Sequence, residues 1–165
     1  MKTARTFSHL LLALAGLALV NGAMAASNPV TGVSMVTALK DAHELAASRA
    51  DLKVLRVEGV SMLPYFGDGS VLVVKTLPAE KLRAGMVVVY KNRFNETVAH
   101  RLVASTAAGW TAAGYNNRES DSTPVTSANL VGVVYATFHS NAVSDPMMLA
   151  AVGNGTAVAL AAPAR

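Results

Sequence analysis

The feature that most constrains the fold is a series of short runs rich in β-branched residues, which begins at Lys53 and is separated by Gly, Pro and Asp. Runs of this length and composition are typical of β-strands. Turn residues between them, such as Gly67-Asp68-Gly69, favour antiparallel connections. The sequence therefore predicts a mainly β fold, a small, coiled antiparallel sheet or barrel. The six runs are Val54–Val57, Val71–Lys75, Met86–Lys91, Thr97–Ala104, Trp110–Ala113 and Leu130–Phe138.

One N-terminal helix is expected before these strands. Ser34 is a favourable N-cap residue, and apolar residues recur after it at helical spacing. We predict a helix that begins after Ser34 and ends before Asp51. Its apolar face comprises Met35, Leu39, Ala42 and Ala46.

The first residues have the pattern of a secretory leader. Lys2 and Arg5 form a positive start, Leu10 to Val20 an apolar core, and Ala23-Met24-Ala25 a small-x-small cleavage signal. We expect cleavage after Ala25. The alternative is an uncleaved membrane anchor, but the apolar run breaks at Asn21, short of the ~20 residues that a membrane span needs.

A chain of 165 residues has the size of one domain with one core. We divide it into a leader (1–25), a helical lead-in (26–52), a β-rich domain (53–140) that carries the motifs discussed below, and a tail without assigned structure (141–165). The tail is apolar but is interrupted by Gly153-Asn154-Gly155, so it predicts neither a clear strand nor a membrane span.

Charge and composition exclude several classes of function. The formal charge is +4, and it falls to +2 without the leader, which is too mild to indicate nucleic-acid binding. The chain has no cysteine, which rules out disulfides, a thiol nucleophile and a thiolate metal site. His43-Glu44 begins like a zinc-protease helix, but Ala47 stands where the second histidine is required. We expect no metal and no organic cofactor.

The segment Val57-Glu58-Gly59-Val60-Ser61-Met62-Leu63-Pro64 carries the first candidate chemistry. Gly59 allows another backbone to approach closely, and Pro64 restricts the turn that follows Ser61. A rigid, accessible hydroxyl suits nucleophilic attack. Taken alone, Ser61 would be interpreted as an ordinary loop serine between two strands.

A serine nucleophile needs a base, and the segment Thr97-Val98-Ala99-His100-Arg101-Leu102 supplies a histidine within a predicted strand. Strand alternation places His100 on one face with Val98 and Leu102, and Arg101 on the other. Taken alone, a histidine among apolar neighbours is more often a core residue than a catalyst.

These two blocks together resemble the signal peptidase I family. In that family a serine is followed by Met, by a Pro three residues after the serine, and by a Gly-Asp turn into an apolar strand. Most bacterial members have Lys-Arg in the second block, whereas the catalytic subunits of the endoplasmic-reticulum enzyme have His-Arg, as His100-Arg101 does here. The residues that match the first block are Ser61, Met62, Pro64 and Asp68.

A third block supports the same resemblance. The segment from Gly114 to Ser122 is similar to the family's Gly-Asp-Asn segment that ends in an Asp, and Ala128 to Gly132 is similar to the strand that follows it. Asp121 is thereby the candidate that orients the histidine, although an aspartate here also fits a turn that caps its own backbone. Tyr115 stands where the family usually has Asp.

The resemblance implies a serine endopeptidase that cleaves exported proteins after small residues. Ser61 is the implied nucleophile, His100 the general base and Asp121 its orienter. The Ser61 backbone N–H is the implied oxyanion donor, with Gly59 and Met62 at the substrate-binding surface. The expected partner is a protein or peptide with small residues before the cut.

The expected location is outside the cytoplasm, in a bacterial periplasm, because an exported chain without disulfides suits that compartment. Membrane association is expected through an uncleaved leader or through apolar residues near the nucleophile, which by composition also suit the core. These residues are Met62, Leu63, Tyr65 and Phe66.

Two other functions stay open. One is a non-catalytic β-domain of the same fold that binds a peptide or a secretion partner, an interpretation motivated by Tyr115 and by the lack of a membrane anchor. The other is an autoproteolytic domain like the repressor-type relatives of the fold. Those relatives use a lysine base, so His100 and the leader weigh against it.

Overall fold

The computed structural model describes residues 27–141 and the backbone of a short strand, Ala159–Leu160. The predicted leader and most of the tail lie outside the described residues. The helix and all six predicted strands are confirmed, with boundaries that agree within a few residues. The elements are α1 (Met35–Ala47), β1 (Leu52–Val57), β2 (Val71–Lys75), a 3-10 turn (Ala79–Lys81), β3 (Val87–Lys91), β4 (Thr97–Thr106), β5 (Gly109–Ala113), β6 (Leu130–Phe138) and β7 (Ala159–Leu160).

All strands belong to one sheet with the order β5-β4-β3-β6-β2-β1-β7. Every pair is antiparallel except β1 and β7, which are parallel. The predicted mainly β, antiparallel fold is therefore confirmed. The barrel alternative is wrong, because the described strands form an open sheet that ends at β5 on one side and at β7 on the other.

Helix α1 packs on one face of the sheet and completes the core there. Its N-cap is Ser34, whose Oγ accepts a hydrogen bond from the Thr37 N–H at 3.1 Å, as the sequence predicts. Ala46, expected on the apolar face, is only half-buried. The helix and the sheet share one cluster of buried residues, Met35, Ala38, Leu39, Ala42, Leu52, Val54, Val71 and Val73.

The central strand β6 joins two halves of the sheet, since it pairs with β2 on one side and β3 on the other. Gly132 makes this close approach feasible. A Cβ atom added there would lie 2.4 Å from the Lys75 carbonyl oxygen, a distance that side chains do not tolerate. The glycine therefore lets β6 lie directly against the end of β2.

Strand β4 carries different side chains to the two faces of the sheet. Val98 and Leu102 pack with Val88 and Tyr90 of β3, whereas Ala99 belongs to the cluster on the opposite face. His100 alternates with Val98 and Leu102 as predicted and lies opposite Val88 in the β3–β4 ladder. In residues 27–141, no helix is long and apolar enough to cross a lipid bilayer.

Candidate active site

Ser61 lies in the turn-rich segment between β1 and β2, and this segment is held by its own polar contacts. The Gly59 N–H donates to Oδ1 of Asp68, which links the start of the segment to the Gly-Asp turn. Gly59 has φ 104°, a backbone conformation that favours glycine. The nucleophile candidate is therefore placed by residues of the same sequence block.

Apolar side chains fix the other end of this segment. Met62, Leu63 and Phe66 are buried, so they occupy the core rather than an apolar surface beside Ser61. Tyr65 differs, with 57% of its surface exposed. Of the four apolar residues expected to contact a membrane, only Tyr65 is therefore exposed.

His100 contacts Ser61 from strand β4. Its Nε2 atom lies 3.0 Å from Ser61 Oγ, and its Nδ1 atom lies 2.6 Å from Oδ2 of Asp121. The side chain is 1% exposed, so its hydrogen bonds are made within the protein. A carboxylate beside Nδ1 favours the tautomer with the proton on Nδ1, which leaves Nε2 free to accept the Ser61 hydroxyl proton.

Asp121 reaches His100 from the segment that follows β5. Its backbone N–H donates to the Ala112 carbonyl at 2.8 Å, which keeps the segment beside the end of β5. The sequence also allowed an aspartate that caps its own turn. Instead, the Asp121 side chain contacts His100 and Tyr90. The structure thus brings the three predicted residues into one hydrogen-bonded chain.

Tyr90 is a member of this chain that the sequence interpretation missed. It lies on β3, is fully buried, and donates its hydroxyl proton to Oδ2 of Asp121 at 2.6 Å. Burial, followed by this hydrogen bond and by the charge of Asp121, raises the pKa of Tyr90 well above its usual value. A tyrosine in a buried strand normally needs a partner for its hydroxyl, and this requirement is a general signal that does not by itself name Asp121.

The third sequence block also holds the nucleophile turn. The Asn116 N–H donates to the Ser61 carbonyl at 2.8 Å, and Asn116 Nδ2 donates to the Val60 carbonyl at 3.1 Å. Gly114 is buried against the same carbonyl, and a Cβ atom added there would lie 2.5 Å from the Ser61 oxygen. One segment therefore positions both Asp121 and the backbone of Ser61.

Tyr115 takes a role that suits its departure from the family pattern. The Arg101 guanidinium carbon lies 4.7 Å from the centre of the Tyr115 ring, within the range of a cation–π contact. The centre of the Tyr115 ring also lies 4.3 Å from the ring centre of Tyr65. At the position where the resembled family usually has an aspartate, the aromatic ring of Tyr115 thus contacts the Arg101 guanidinium.

The backbone near Ser61 leaves a candidate oxyanion donor. Among the described residues, no hydrogen bond uses the Ser61 backbone N–H. The Gly59 N–H is already engaged by Asp68. The Met62 side chain is 2% exposed, so only the backbone of this residue could take part in the predicted substrate-binding surface.

The described residues line a small cavity beside the site and a larger groove away from it. The small cavity of about 220 Å³ borders His100, Asp121 and Tyr90 on the side of Phe94. The larger groove of about 770 Å³ lies between the end of α1 and β1, and none of the three predicted catalytic residues lines it. In the described part of the chain, no three His, Asp or Glu side chains come together to hold a metal ion.

No protein-family model matches this chain, and neither does any curated protein. A buried imidazole between a serine hydroxyl and a carboxylate is the arrangement that activates a serine for attack on a carbonyl carbon.

Proposed function

We propose that this protein is a serine endopeptidase of the signal peptidase type, which cleaves exported proteins after small residues. The observation that carries the proposal is the position of His100, with Nε2 at 3.0 Å from Ser61 Oγ and Nδ1 at 2.6 Å from Asp121. Both distances are those of a hydrogen bond, and the order of the groups is that of nucleophile, base and orienter.

The reaction follows from these contacts. His100 Nε2 takes the hydroxyl proton as Ser61 Oγ attacks the carbonyl carbon of the scissile bond, and Asp121 stabilises the resulting imidazolium. The Ser61 backbone N–H faces the oxyanion that forms. His100 then gives its proton to the leaving amine, which leaves an acyl-enzyme on Ser61. Attack by water, with His100 again as base, releases the acid.

The substrate class and location belong to the same proposal. The leader pattern supports export, and the resemblance supports substrates with small residues immediately before the cut and two residues further upstream. The partner is therefore an exported protein or peptide, met outside the cytoplasm in a periplasm, at or near a membrane. The chemistry requires no metal or organic cofactor, since a base and an orienter already stand beside the serine.

Variants of the two central residues test the proposal. We expect Ser61→Ala and His100→Ala to abolish cleavage of a peptide with an Ala-x-Ala site, and Ser61→Ala to abolish labelling by a serine-directed acylating probe. The matched controls are Ser127→Ala, at an exposed serine, and His43→Ala, at a half-buried histidine of α1. Both controls should cleave like the parent protein.

A non-catalytic peptide-binding domain is the second candidate. The observation that favours it is the exposed pair Tyr65 and Tyr115, at 57% and 39% exposure, which belongs to the segments that hold Ser61. This candidate predicts peptide binding that is equal in the parent and in Ser61→Ala, with neither cleavage nor labelling. Labelling of Ser61 by the probe would count against it.

A further inference from the structure

The short strand β7 occupies the edge of the sheet that leads to the nucleophile. It pairs in parallel with the end of β1, with Ala159 opposite Arg56 and Leu160 opposite Val57. Ser61 follows Val57 by four residues. An extended backbone at this edge therefore runs in the same direction as β1, towards Ser61.

The other edge of β1 is already used. The Val57 N–H donates to the Ser70 carbonyl at 2.8 Å, and β1 pairs with β2 along its whole length. Because backbone groups alternate along a strand, those of Arg56 face the opposite edge, where β7 lies. An unpaired strand edge is a template for any extended peptide. A substrate backbone and β7 would thus use the same hydrogen-bonding groups.

The sequence around β7 also resembles the expected substrate. Ala159-Leu160-Ala161 has small residues at its first and third positions, as Ala23-Met24-Ala25 does in the leader. The chain therefore carries a small-x-small tripeptide that begins in the strand beside the nucleophile segment. The pairing of β7 with β1 and the small-x-small sequence both indicate that β7 occupies the position of a substrate.

We propose that the strand β7, Ala159–Leu160, is an intramolecular competitor that occupies the substrate-binding edge of β1 and restrains the peptidase. This inference rests on the proposed function. A tethered segment acts at an effective concentration of the order of millimolar, so even weak pairing competes with a dilute substrate. Because β7 spans only two residues, the restraint is partial and a good substrate displaces it.

Proline substitutions in the full chain test the competition. The double variant Ala159→Pro/Leu160→Pro removes both backbone N–H groups of β7, whereas the control Ala164→Pro lies outside β7. We expect the double variant to lower KM for an Ala-x-Ala peptide by about 3- to 10-fold, with kcat unchanged, because the competent fraction of the protein rises. A synthetic peptide of residues 157–163 should restore the parent KM competitively.

A second measurement does not depend on turnover. Amide hydrogen exchange at Arg56, whose backbone groups face β7, should become faster in the double variant than in the control, because this edge of β1 loses its partner. Unchanged exchange would contradict the pairing itself.

Labelling of Ser61 separates failure of this inference from failure of the proposed function. If parent and double variant both label and cleave with the same KM, the β7 inference is wrong and the proposed function stands. A higher KM in the double variant would also overturn it, since β7 would then assist substrate binding. If neither protein cleaves or labels, the proposed function fails, and the inference fails with it.

Discussion

At the scale of single residues, the most informative atom is Oδ2 of Asp121. It accepts hydrogen bonds from His100 and from Tyr90, each at 2.6 Å. Two donors on one oxygen fix the direction of the carboxylate, and the carboxylate in turn fixes the imidazole. The chain of contacts therefore runs from a fully buried tyrosine to the hydroxyl of Ser61.

Asp121→Asn tests the orienting role. The amide cannot replace the carboxylate as both a double acceptor and a negative charge, so the favoured histidine tautomer and the stabilisation of the imidazolium are lost. We expect kcat for an Ala-x-Ala peptide to fall by about 10³- to 10⁴-fold while KM changes little. Asp51→Asn, at the exposed partner of Arg49, is the control and should keep its activity. A decrease of less than tenfold would contradict the role.

Tyr90→Phe tests the buried hydroxyl through alkaline stability. In the folded protein the pKa of Tyr90 is raised, so above pH of about 10 an unfolded chain releases a proton that the folded protein retains. The folded state then binds more protons, and its stability falls as pH rises, by up to about 1.4 kcal/mol per pH unit. Tyr90→Phe removes this contribution.

The measurement is urea unfolding at pH of about 9 and about 11. We expect the free energy of unfolding to fall less steeply with pH in Tyr90→Phe than in the parent. Tyr135→Phe, at a half-exposed tyrosine, should keep the parent's dependence. Equal slopes in all three proteins would show that Tyr90 is not held as a neutral donor.

At the scale of elements, the segment after β5 acts on the segment after β1. In the segment after β5, Gly114 lies against the carbonyl of Ser61. Asn116 donates to the carbonyl of Val60, and Asp121 contacts the side chain of His100. One irregular segment therefore contacts both the backbone of Ser61 and the side chain of His100.

Gly114→Ala should disturb the alignment of Ser61 with His100. The new methyl group would meet the Ser61 carbonyl oxygen at 2.5 Å, so either the turn or the third-block segment must shift. We expect kcat to fall by at least about tenfold, because a small misplacement of the nucleophile is costly, while stability falls by about 1–3 kcal/mol. Gly32→Ala, where no atom lies within 4 Å, is the matched control. Full activity in Gly114→Ala would contradict the proposed alignment.

The sequence predicted the elements well because their signals are local. β-branched runs mark the strands, Ser34 marks the start of α1, and alternation along β4 places His100 with Val98 and Leu102. The role of Tyr90 was not predictable in this way. It arises only when β3 pairs with β4 and the segment after β5 folds over both, and these contacts join residues distant in the chain.

At the scale of the whole molecule, the strand order was also beyond local patterns. The run Leu130–Phe138 predicts a strand, but nothing in it indicates that this strand enters the centre of the sheet. The pairing of β7 with β1 was likewise not predicted, since Gly153-Asn154-Gly155 interrupts the apolar pattern of the tail. Long-range order of this kind is set by tertiary packing rather than by strand propensity.

A single continuous sheet predicts that the site and the fold are lost together. Trp110 lies on β5, at the edge of the sheet, whereas Ser61 follows β1 near the other edge. In a urea titration, we expect Trp110 fluorescence and probe labelling of Ser61 to be lost with the same midpoint. A lower midpoint for labelling would show that the site opens independently of the sheet.

The central position of β6 has a consequence for a chain that is synthesised from its N-terminus. Strands β2 and β3 follow each other in the sequence but are not neighbours, because β6 lies between them. Ser61 follows the strand that pairs with β2, whereas His100 lies on the strand that pairs with β3. Serine and histidine therefore belong to separate hairpins, and the sheet that joins these hairpins is not complete until β6 (Leu130–Phe138) has been made. We therefore expect the complete constellation of Ser61, His100 and Asp121 to form only late, once the central strand is in place.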